Sequence, residues 1–150
     1  MQKLIFLTSI CLLPIAGMSQ QFRQQDSLAI VNTALDYVDG FYQADASRME
    51  RALHPMLAKR AYVPTKEGKF QYHELSALAL VQGTRNARNY LKDRDRTTLK
   101  REIQVLDINR ETATVKAYME EWIDYMHLVK VEGQWKIINV LWELNTVDKK

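Results

Sequence analysis

The sequence predicts an α+β protein in which N-terminal helices pack in a curved antiparallel sheet. Apolar residues recur at helical spacing in the first half of the chain, starting near Ile30. Residues 112–144 (TATVKAYMEEWIDYMHLVKVEGQWKIINVLWEL) are instead rich in aromatic and β-branched residues, and a tight turn at Glu132-Gly133 divides them. This stretch is typical of a long β-hairpin, and the helices before it would cover one of its faces.

Residues 1–19 have the pattern of a secretory signal peptide. A positively charged start precedes an apolar run at residues 4–15, and small residues lead to a predicted cut between Ser19 and Gln20. The run is too short to span a bilayer, and Cys11 lies inside it, where a lipid-attachment cysteine would not be expected. We therefore expect a periplasmic or secreted protein without a stable membrane anchor.

Residues 20–150 then form one domain, long enough to bury a core and without an internal linker. The single cysteine of the chain is Cys11, so we expect neither disulfides nor thiol chemistry in the mature domain. A net charge of +3 gives no reason to expect nucleic acid as a partner. The three histidines show no ligand spacing, and we predict no metal site and no cofactor.

Two helices are predicted at the start of the domain. The first covers residues 27–44, with Asp26 and Ser27 as capping residues, and the second covers residues 46–53, with Asp45 as its cap. The apolar stripe of the first helix consists of Ile30, Val31, Ala34, Val38 and Phe41. A proline after His54 ends the second helix, because the residue before proline is pushed out of helical geometry.

A short hairpin is predicted next, with strands at residues 58–63 and 70–72. Residues 74–81 then read as a helix that is apolar nearly all round and hence buried, ending near Gly83.

A longer strand is predicted at residues 99–108, and its change of alternation near Leu106 indicates a bulge. A three-residue loop at 109–111 would pair Ile103 with Ala117 and Val105 with Val115. In the last hairpin, the turn at Glu132-Gly133 would place Leu141 opposite Asp124 and Trp142 opposite Ile123. On that register Trp142 and Tyr125 share one face of the sheet.

Five short segments carry a family resemblance. They are residues 37–45 (YVDGFYQAD), 52–55 (ALHP), 105–108 (VLDI), 122–125 (WIDY) and 132–137 (EGQWKI). In these the chain resembles the nuclear-transport-factor-2-like cone, and within it the group named "putative lumazine-binding", close to polyketide-cyclase-like proteins. The resemblance implies a sheet wrapped round the first helix, an open-ended apolar pocket and often a dimer through the sheet. Functions in this class range from isomerases and cyclases to binding modules, so the fold alone does not choose among them.

Asp124 is the first candidate for chemistry, because it lies among aromatic residues. A carboxylate in an apolar pocket could act as a general base or acid. Ketosteroid isomerases of the same fold use such an aspartate with a tyrosine donor, for which Tyr37 or Tyr62 would serve here. The alternative is a carboxylate at a strand edge, solvated or paired with a lysine or arginine.

His54 is the second candidate, because it leaves a helix end near the expected mouth of the cone and could bind a ligand or move a proton. The alternative is an imidazole that caps the preceding helix. The predicted ligand-binding residues are Tyr37, Phe41, His54, Tyr62, Tyr118, Trp122, Asp124, Tyr125 and Trp142. Aromatic side chains with a polar tip suit a planar ligand, but they also suit an ordinary core.

Three functions follow from these observations. The first is an exported binding or accessory protein whose hydrophobic pocket takes a small aromatic or apolar ligand. The second is an isomerase, dehydratase or cyclase-like enzyme with Asp124 or His54 as general base and a tyrosine donor. The third is a structural dimerisation module whose cavity is filled by its own side chains. In each case a homodimer through the sheet is expected.

Overall fold

The chain is described here from a computed structural model that covers residues 15–146, with side chains described for residues 23–87 and 91–146. The chain begins with two helices, α1 (Ile15–Gln43) and α2 (Ala46–Ala52). A hairpin of β1 (Leu53–Pro64) and β2 (Phe70–Ser76) leads to α3 (Ala77–Tyr90). The last four elements are β3 (Arg101–Ile108), β4 (Thr112–Met119), β5 (Trp122–Val131) and β6 (Gln134–Leu144). The predicted α+β order is confirmed.

The six strands form one sheet in the order β2-β1-β6-β5-β4-β3. Neighbouring strands are antiparallel except β1 and β6, which run parallel. Helix α1 contacts β3, β4 and β6. Because β3 and β6 lie three places apart in the sheet, one helix can touch both only if the sheet curves around it. The predicted curved sheet is confirmed, but the prediction that it is antiparallel throughout is wrong for the β1–β6 pair.

The buried face of α1 follows the predicted stripe, with Ile30, Ala34 and Val38 fully buried. The predicted cap at Asp26 and Ser27 is wrong, because α1 runs through both residues without interruption. The carboxylate of Asp26 instead accepts hydrogen bonds from the Lys130 ammonium and the Trp135 indole, and so ties the helix to the β5–β6 hairpin.

Helices α1 and α2 approach each other at Gly40. A Cβ atom at this position would lie 2.9 Å from the backbone nitrogen of Met49, closer than real Cβ contacts allow. Asp45 caps α2 as predicted, because its side chain accepts a hydrogen bond from the backbone N–H of Arg48. Met49 and Ala52 are buried against α1 and the sheet.

The prediction of a helix over residues 74–81 is wrong at both ends. Strand β2 continues to Ser76, since its ladder with β1 takes the backbone groups of Glu74 and Leu75. Ser76 caps α3, and the helix passes through Gly83 to Tyr90. It is also not buried all round, because the side chain of Leu78 is 67% exposed.

The β3–β4 hairpin has the predicted register, with Ile103 opposite Ala117 and Val105 opposite Val115. The predicted irregularity is also present, as a register shift between Val105 and Asp107. These pairings place the buried side of β4 against α1. That side consists of Ala113, Val115, Ala117 and Met119.

The β5–β6 hairpin has its turn at Glu132-Gly133, where both residues have positive φ angles of 50° and 78°. Its register is as predicted from the turn to Leu128 and differs from His127 onward, because a bulge leaves Ile138 without a partner on β5. As a result Asp124 lies opposite Trp142, not opposite Leu141.

Two sequence predictions concern the N-terminal region. Residues 1–14 of the predicted signal peptide lie outside the described residues, and the predicted cut falls within α1. Among the described helices, none is long and apolar enough to cross a membrane.

Candidate functional site

Tyr37, Lys59 and Asp124 form a buried polar cluster between α1 and the sheet. The Tyr37 hydroxyl donates a hydrogen bond of 2.5 Å to Asp124 Oδ2, and the Lys59 ammonium donates one of 2.7 Å to the same oxygen. The ammonium also donates to the Tyr37 hydroxyl oxygen. Three side chains from α1, β1 and β5 therefore meet at one carboxylate oxygen.

The strand pattern explains why these side chains converge. Strand alternation puts Lys59 on the same side of β1 as Leu57 and Ala61, both buried. Asp124 occupies the inward side of β5, opposite Ala117 on β4. The inward side of this region is otherwise apolar, so the two charges lie inside the fold.

The cluster is almost closed to solvent. The exposed fraction is 0% for Asp124, 2% for Tyr37 and 8% for Lys59. Charges of opposite sign at this depth must be paired, because an isolated buried charge would be strongly destabilising. Among the described residues, no donor meets the second carboxylate oxygen, Asp124 Oδ1.

Tyr37 remains a hydrogen-bond donor at ordinary pH. Burial raises the pKa of its hydroxyl well above the usual value of 10, because the phenolate would lose its hydration. The negative charge of Asp124 and the hydrogen bond to that carboxylate raise the pKa further. The hydroxyl proton therefore stays on Tyr37, directed at Asp124.

A cavity of about 190 Å³ lies beside this cluster. Its aromatic lining consists of Tyr37, Phe41, Trp122 and Trp142. Its remaining lining consists of Met49, Lys59, Leu75, Leu80 and Met119. The cavity is thus a largely apolar space, and the lining residues that carry a polar side-chain group are Lys59, Tyr37 and the two tryptophans.

The aromatic side chains hold defined positions in this lining. The rings of Phe41 and Trp122 meet edge to face, with centres 5.4 Å apart and planes at 87°. The Lys59 ammonium lies 5.5 Å from the centre of the Trp142 ring and 5.2 Å from that of Tyr37. Trp142 reaches the cavity because the bulge at Ile138 turns it to the side of Asp124.

Five of the nine predicted ligand-binding residues belong to this site. Tyr37, Phe41, Trp122 and Trp142 line the cavity, and Asp124 joins the polar cluster. The pairing of Asp124 with a lysine was the predicted alternative, although it is found in the interior and not at a solvated strand edge.

Four predicted site residues lie elsewhere. His54 lies outside the cavity lining, and its Nδ1 atom accepts a hydrogen bond from the Met56 backbone N–H. Tyr62 is 65% exposed, on the hairpin face that it shares with Tyr72.

Tyr118 and Tyr125 lie on the outer face of the sheet. Their rings flank the Lys116 ammonium, at 4.4 and 4.8 Å from the ring centres. The predicted sharing of one face by Trp142 and Tyr125 is therefore wrong, since the bulge at Ile138 separates them.

Lys59 is the site residue that was not predicted from the sequence. The sequence did contain a signal, because Lys59 alternates with Ala61 in the strand predicted at residues 58–63 and with Leu57 directly before it. A lysine in phase with two apolar residues points to the inner side of its strand. Its partner, Asp124, is 65 positions away in the chain and could not be identified from the sequence.

The described residues contain no group of three or more histidine, cysteine, aspartate or glutamate side chains that could hold a metal ion. The cluster at Asp124 has one carboxylate and one ammonium, a donor set that does not suit a cation.

Solved structures of low sequence identity share this fold. An NTF2-like protein with a cystatin-like fold from Novosphingobium aromaticivorans is 9% identical, with 91% of this chain and 94% of that chain covered and a TM-score of 0.63. An NTF2-like protein of unknown function from Silicibacter pomeroyi is 13% identical, with 82% and 98% covered and a TM-score of 0.61. A putative scytalone dehydratase from Novosphingobium aromaticivorans is 12% identical, with 85% and 89% covered and a TM-score of 0.56.

The helix held in a curved sheet is thus the fold that this chain shares with solved nuclear-transport-factor-2-like proteins. A family model described as "Putative lumazine-binding" matches residues 25–143, and the chain belongs to that family. No curated protein matches the chain.

Proposed function

We propose that this protein binds a small aromatic or apolar molecule in the cavity beside Tyr37, Lys59 and Asp124. The observation that supports this most directly is the cavity of about 190 Å³. Protein interiors are close-packed and hold few voids larger than a water molecule. A cavity of about 150 Å³ is large enough to take up benzene in another protein. The space here would therefore admit one aromatic ring with substituents.

The character of the lining supports the same function. Aromatic side chains on three elements surround the space, and a few polar groups converge on one side of it. Such a combination is typical of sites that hold a planar ligand by stacking and orient it by hydrogen bonds. It also argues against a structural module whose interior is filled by its own side chains.

A thermal-shift screen of one- and two-ring aromatic metabolites, pterins included, tests the proposal. A ligand present at about a hundred times its dissociation constant stabilises the native state by about 2.7 kcal/mol, which is several degrees in Tm. Flavins serve as a control, because their three rings exceed the cavity. The absence of stabilisation by any one- or two-ring compound would contradict the proposal.

Two leucines on α3 provide matched variants for this screen. Leu80 lines the cavity, whereas Leu78 on the same helix is 67% exposed. Leu80→Phe should fill the space and abolish the ligand-induced shift. Leu78→Phe adds the same side chain outside the cavity and should leave the shift unchanged.

An enzyme of the isomerase, dehydratase or cyclase type is the second candidate. The observation in its favour is the hydrogen bond from Tyr37, which lines the cavity, to Asp124, which has one carboxylate oxygen still free of donors among the described residues. Asp124 would then be the general base and Tyr37 the positioning donor. Once a compound that binds is known, Asp124→Asn should abolish its conversion, and His54→Ala should not. Unchanged turnover in Asp124→Asn would remove this candidate.

A homodimer through the outer face of the sheet completes the proposal. Tyr125 and Leu141 are directly paired across β5 and β6, and they are 37% and 55% exposed. Apolar side chains exposed side by side on a sheet are typical of an interface. Light scattering of the purified protein should give twice the chain mass, and Leu141→Glu should give the single chain mass. A monomeric parent protein would contradict this part.

Export is proposed on the N-terminal sequence pattern alone. Expression of the whole chain in a bacterial host should yield a product in the periplasm or medium that begins at Gln20. Intact mass spectrometry measures the cut. A cytoplasmic product that retains residues 1–19 would contradict export without affecting the binding proposal.

A further inference from the structure

Lys59 has one hydrogen-bond donor left for a ligand. An ammonium group carries three N–H donors. Two of them are used by Asp124 Oδ2 and by the Tyr37 hydroxyl oxygen, and no third acceptor meets the group among the described residues. The single proton of the Tyr37 hydroxyl is already donated to Asp124. Of the two members of the polar cluster that line the cavity, Lys59 is therefore the one that can still donate.

The charges of the cluster disfavour an ionic ligand. The ammonium of Lys59 lies 2.7 Å from the carboxylate of Asp124, so the pair has no net charge. An anion near Lys59 would also approach Asp124, and a cation near Asp124 would approach Lys59. Either ion would lose its hydration in an apolar cavity without a counter-charge of its own. A neutral molecule avoids this cost.

The size and shape of the cavity limit the ligand further. About 190 Å³ accommodates somewhat more than a benzene molecule, for which about 150 Å³ suffices. The indole of Trp142 lies beside the Lys59 ammonium, which places an aromatic surface next to the free donor. A ring that packs on this surface can present an oxygen atom to Lys59.

From these observations we propose that Lys59 is the residue that selects the ligand, and that the ligand is a neutral one-ring or compact two-ring aromatic molecule with a carbonyl oxygen as acceptor. This inference rests on the proposed binding function. Lys59 donates its third N–H to the carbonyl oxygen, while Asp124 and Tyr37 hold the ammonium in place.

Four one-ring probes of similar size test the inference. Acetophenone has the carbonyl acceptor, ethylbenzene lacks it, benzoate is an anion, and 1-phenylethylammonium is a cation. Affinities for the purified full chain are measured by NMR titration, which detects millimolar binding. Acetophenone should bind about tenfold more tightly than ethylbenzene, the usual worth of a hydrogen bond from a charged donor. Benzoate and 1-phenylethylammonium should bind more weakly than acetophenone.

The outcomes separate the inference from the function on which it rests. If ethylbenzene binds as tightly as acetophenone, the cavity binds ligands but Lys59 does not select them, and the inference is overturned. Benzoate binding at least as tightly as acetophenone would overturn the selection of neutral ligands. If none of the four probes binds, the proposed function and the inference both fail for this ligand class.

Variants assign the selection to Lys59. Lys59→Met should abolish the preference, so that acetophenone and ethylbenzene bind with about the same affinity. Because this change leaves Asp124 unpaired, the double variant Lys59→Met/Asp124→Asn provides a second test without a buried charge. Lys130→Met is the matched control, since Lys130 also pairs with an aspartate, Asp26, beside a tryptophan ring but lies outside the cavity lining. A tenfold preference that persists in the double variant would overturn the inference.

Discussion

Trp142 lies directly opposite Asp124 across β5 and β6, one residue out of the register that the turn at Glu132-Gly133 would set. The shift originates at Ile138, which has no partner on β5. Because side chains alternate along a strand, a shift of one residue moves every following side chain of β6 to the other face. The indole of Trp142 thereby joins the cavity, and Leu141 turns to the outer face. A single bulge therefore determines which aromatic residue reaches the candidate site.

The first prediction concerns the charge pair. Lys59→Met leaves the Asp124 carboxylate buried with one hydrogen-bond donor, and such a change costs about 3–5 kcal/mol of unfolding free energy. The double variant Lys59→Met/Asp124→Asn removes both charges and should recover most of that loss. Urea unfolding measures both values. A double variant no more stable than Lys59→Met would show that the pair is not the source of the loss.

The second prediction concerns stability at high pH. Burial, above all, raises the pKa of Tyr42 from 10 to about 12. Its folded pKa exceeds its unfolded pKa, so its contribution to stability is complete below pH 10 and is lost as the pH rises towards 12. The unfolding free energy of the native protein should fall across this window.

The variant that tests this is Tyr42→Phe. It should show a smaller fall between pH 10 and 12, together with a loss of about 1–3 kcal/mol at neutral pH, where the hydroxyl no longer bonds the Lys100 carbonyl and the Glu120 N–H. Tyr62→Phe is the control, since Tyr62 is 65% exposed. An unchanged pH dependence in Tyr42→Phe would contradict the assignment.

The third prediction concerns two glycines in helices. Gly40→Ala would put a Cβ 2.9 Å from the Met49 nitrogen, and separating α1 from α2 should cost about 1–3 kcal/mol. Gly83→Ala is the matched control within α3, where no described atom other than the adjoining backbone of the helix and the two chain neighbours lies within 4 Å of the new Cβ. It should stabilise the protein by about 0.5–1 kcal/mol, since alanine is the better helix former. Thermal unfolding measures both, and the same sign for the two variants would refute the packing argument.

The fourth prediction concerns acid stability. The hydrogen bond from Lys130 is the largest influence that lowers the pKa of Asp26, and Trp135 adds a second. The folded pKa is below the unfolded value of 3.8, so the contribution is present above that pH and is lost as the pH falls through the folded pKa.

Asp26→Asn should therefore flatten the dependence of stability on pH below about 4. Asp93→Asn is the control, because the Asp93 side chain is 85% exposed and lies 4.0 Å from Lys92. A loss of acid sensitivity in the control but not in Asp26→Asn would count against the assignment.

Some of this architecture follows from the sequence alone. The helical spacing of Ile30, Ala34 and Val38 predicted the buried side of α1, because only one face of a helix can contact a sheet. The loop after Ile108 predicted the pairing of Ile103 with Ala117, because apolar side chains oppose one another only in that register. Local signals of this kind lie within a few residues of the element that they specify.

The candidate site was only partly predictable. Tyr37, Phe41, Trp122 and Asp124 were expected near a pocket, and the structure brings them together. The inward position of Lys59 was not recognised, because a lysine between Ala58 and Arg60 is usually assigned to solvent.

What the sequence by itself determined is the order of the helices and strands and the buried sides of α1 and β4. What only the tertiary structure decided is the encounter of Lys59 with Asp124 and the inward turn of Trp142. The physical reason is the distance along the chain between the residues involved. Side-chain periodicity depends on neighbours within one helical turn or one strand, whereas a buried ion pair and a bulge depend on which distant strands lie side by side.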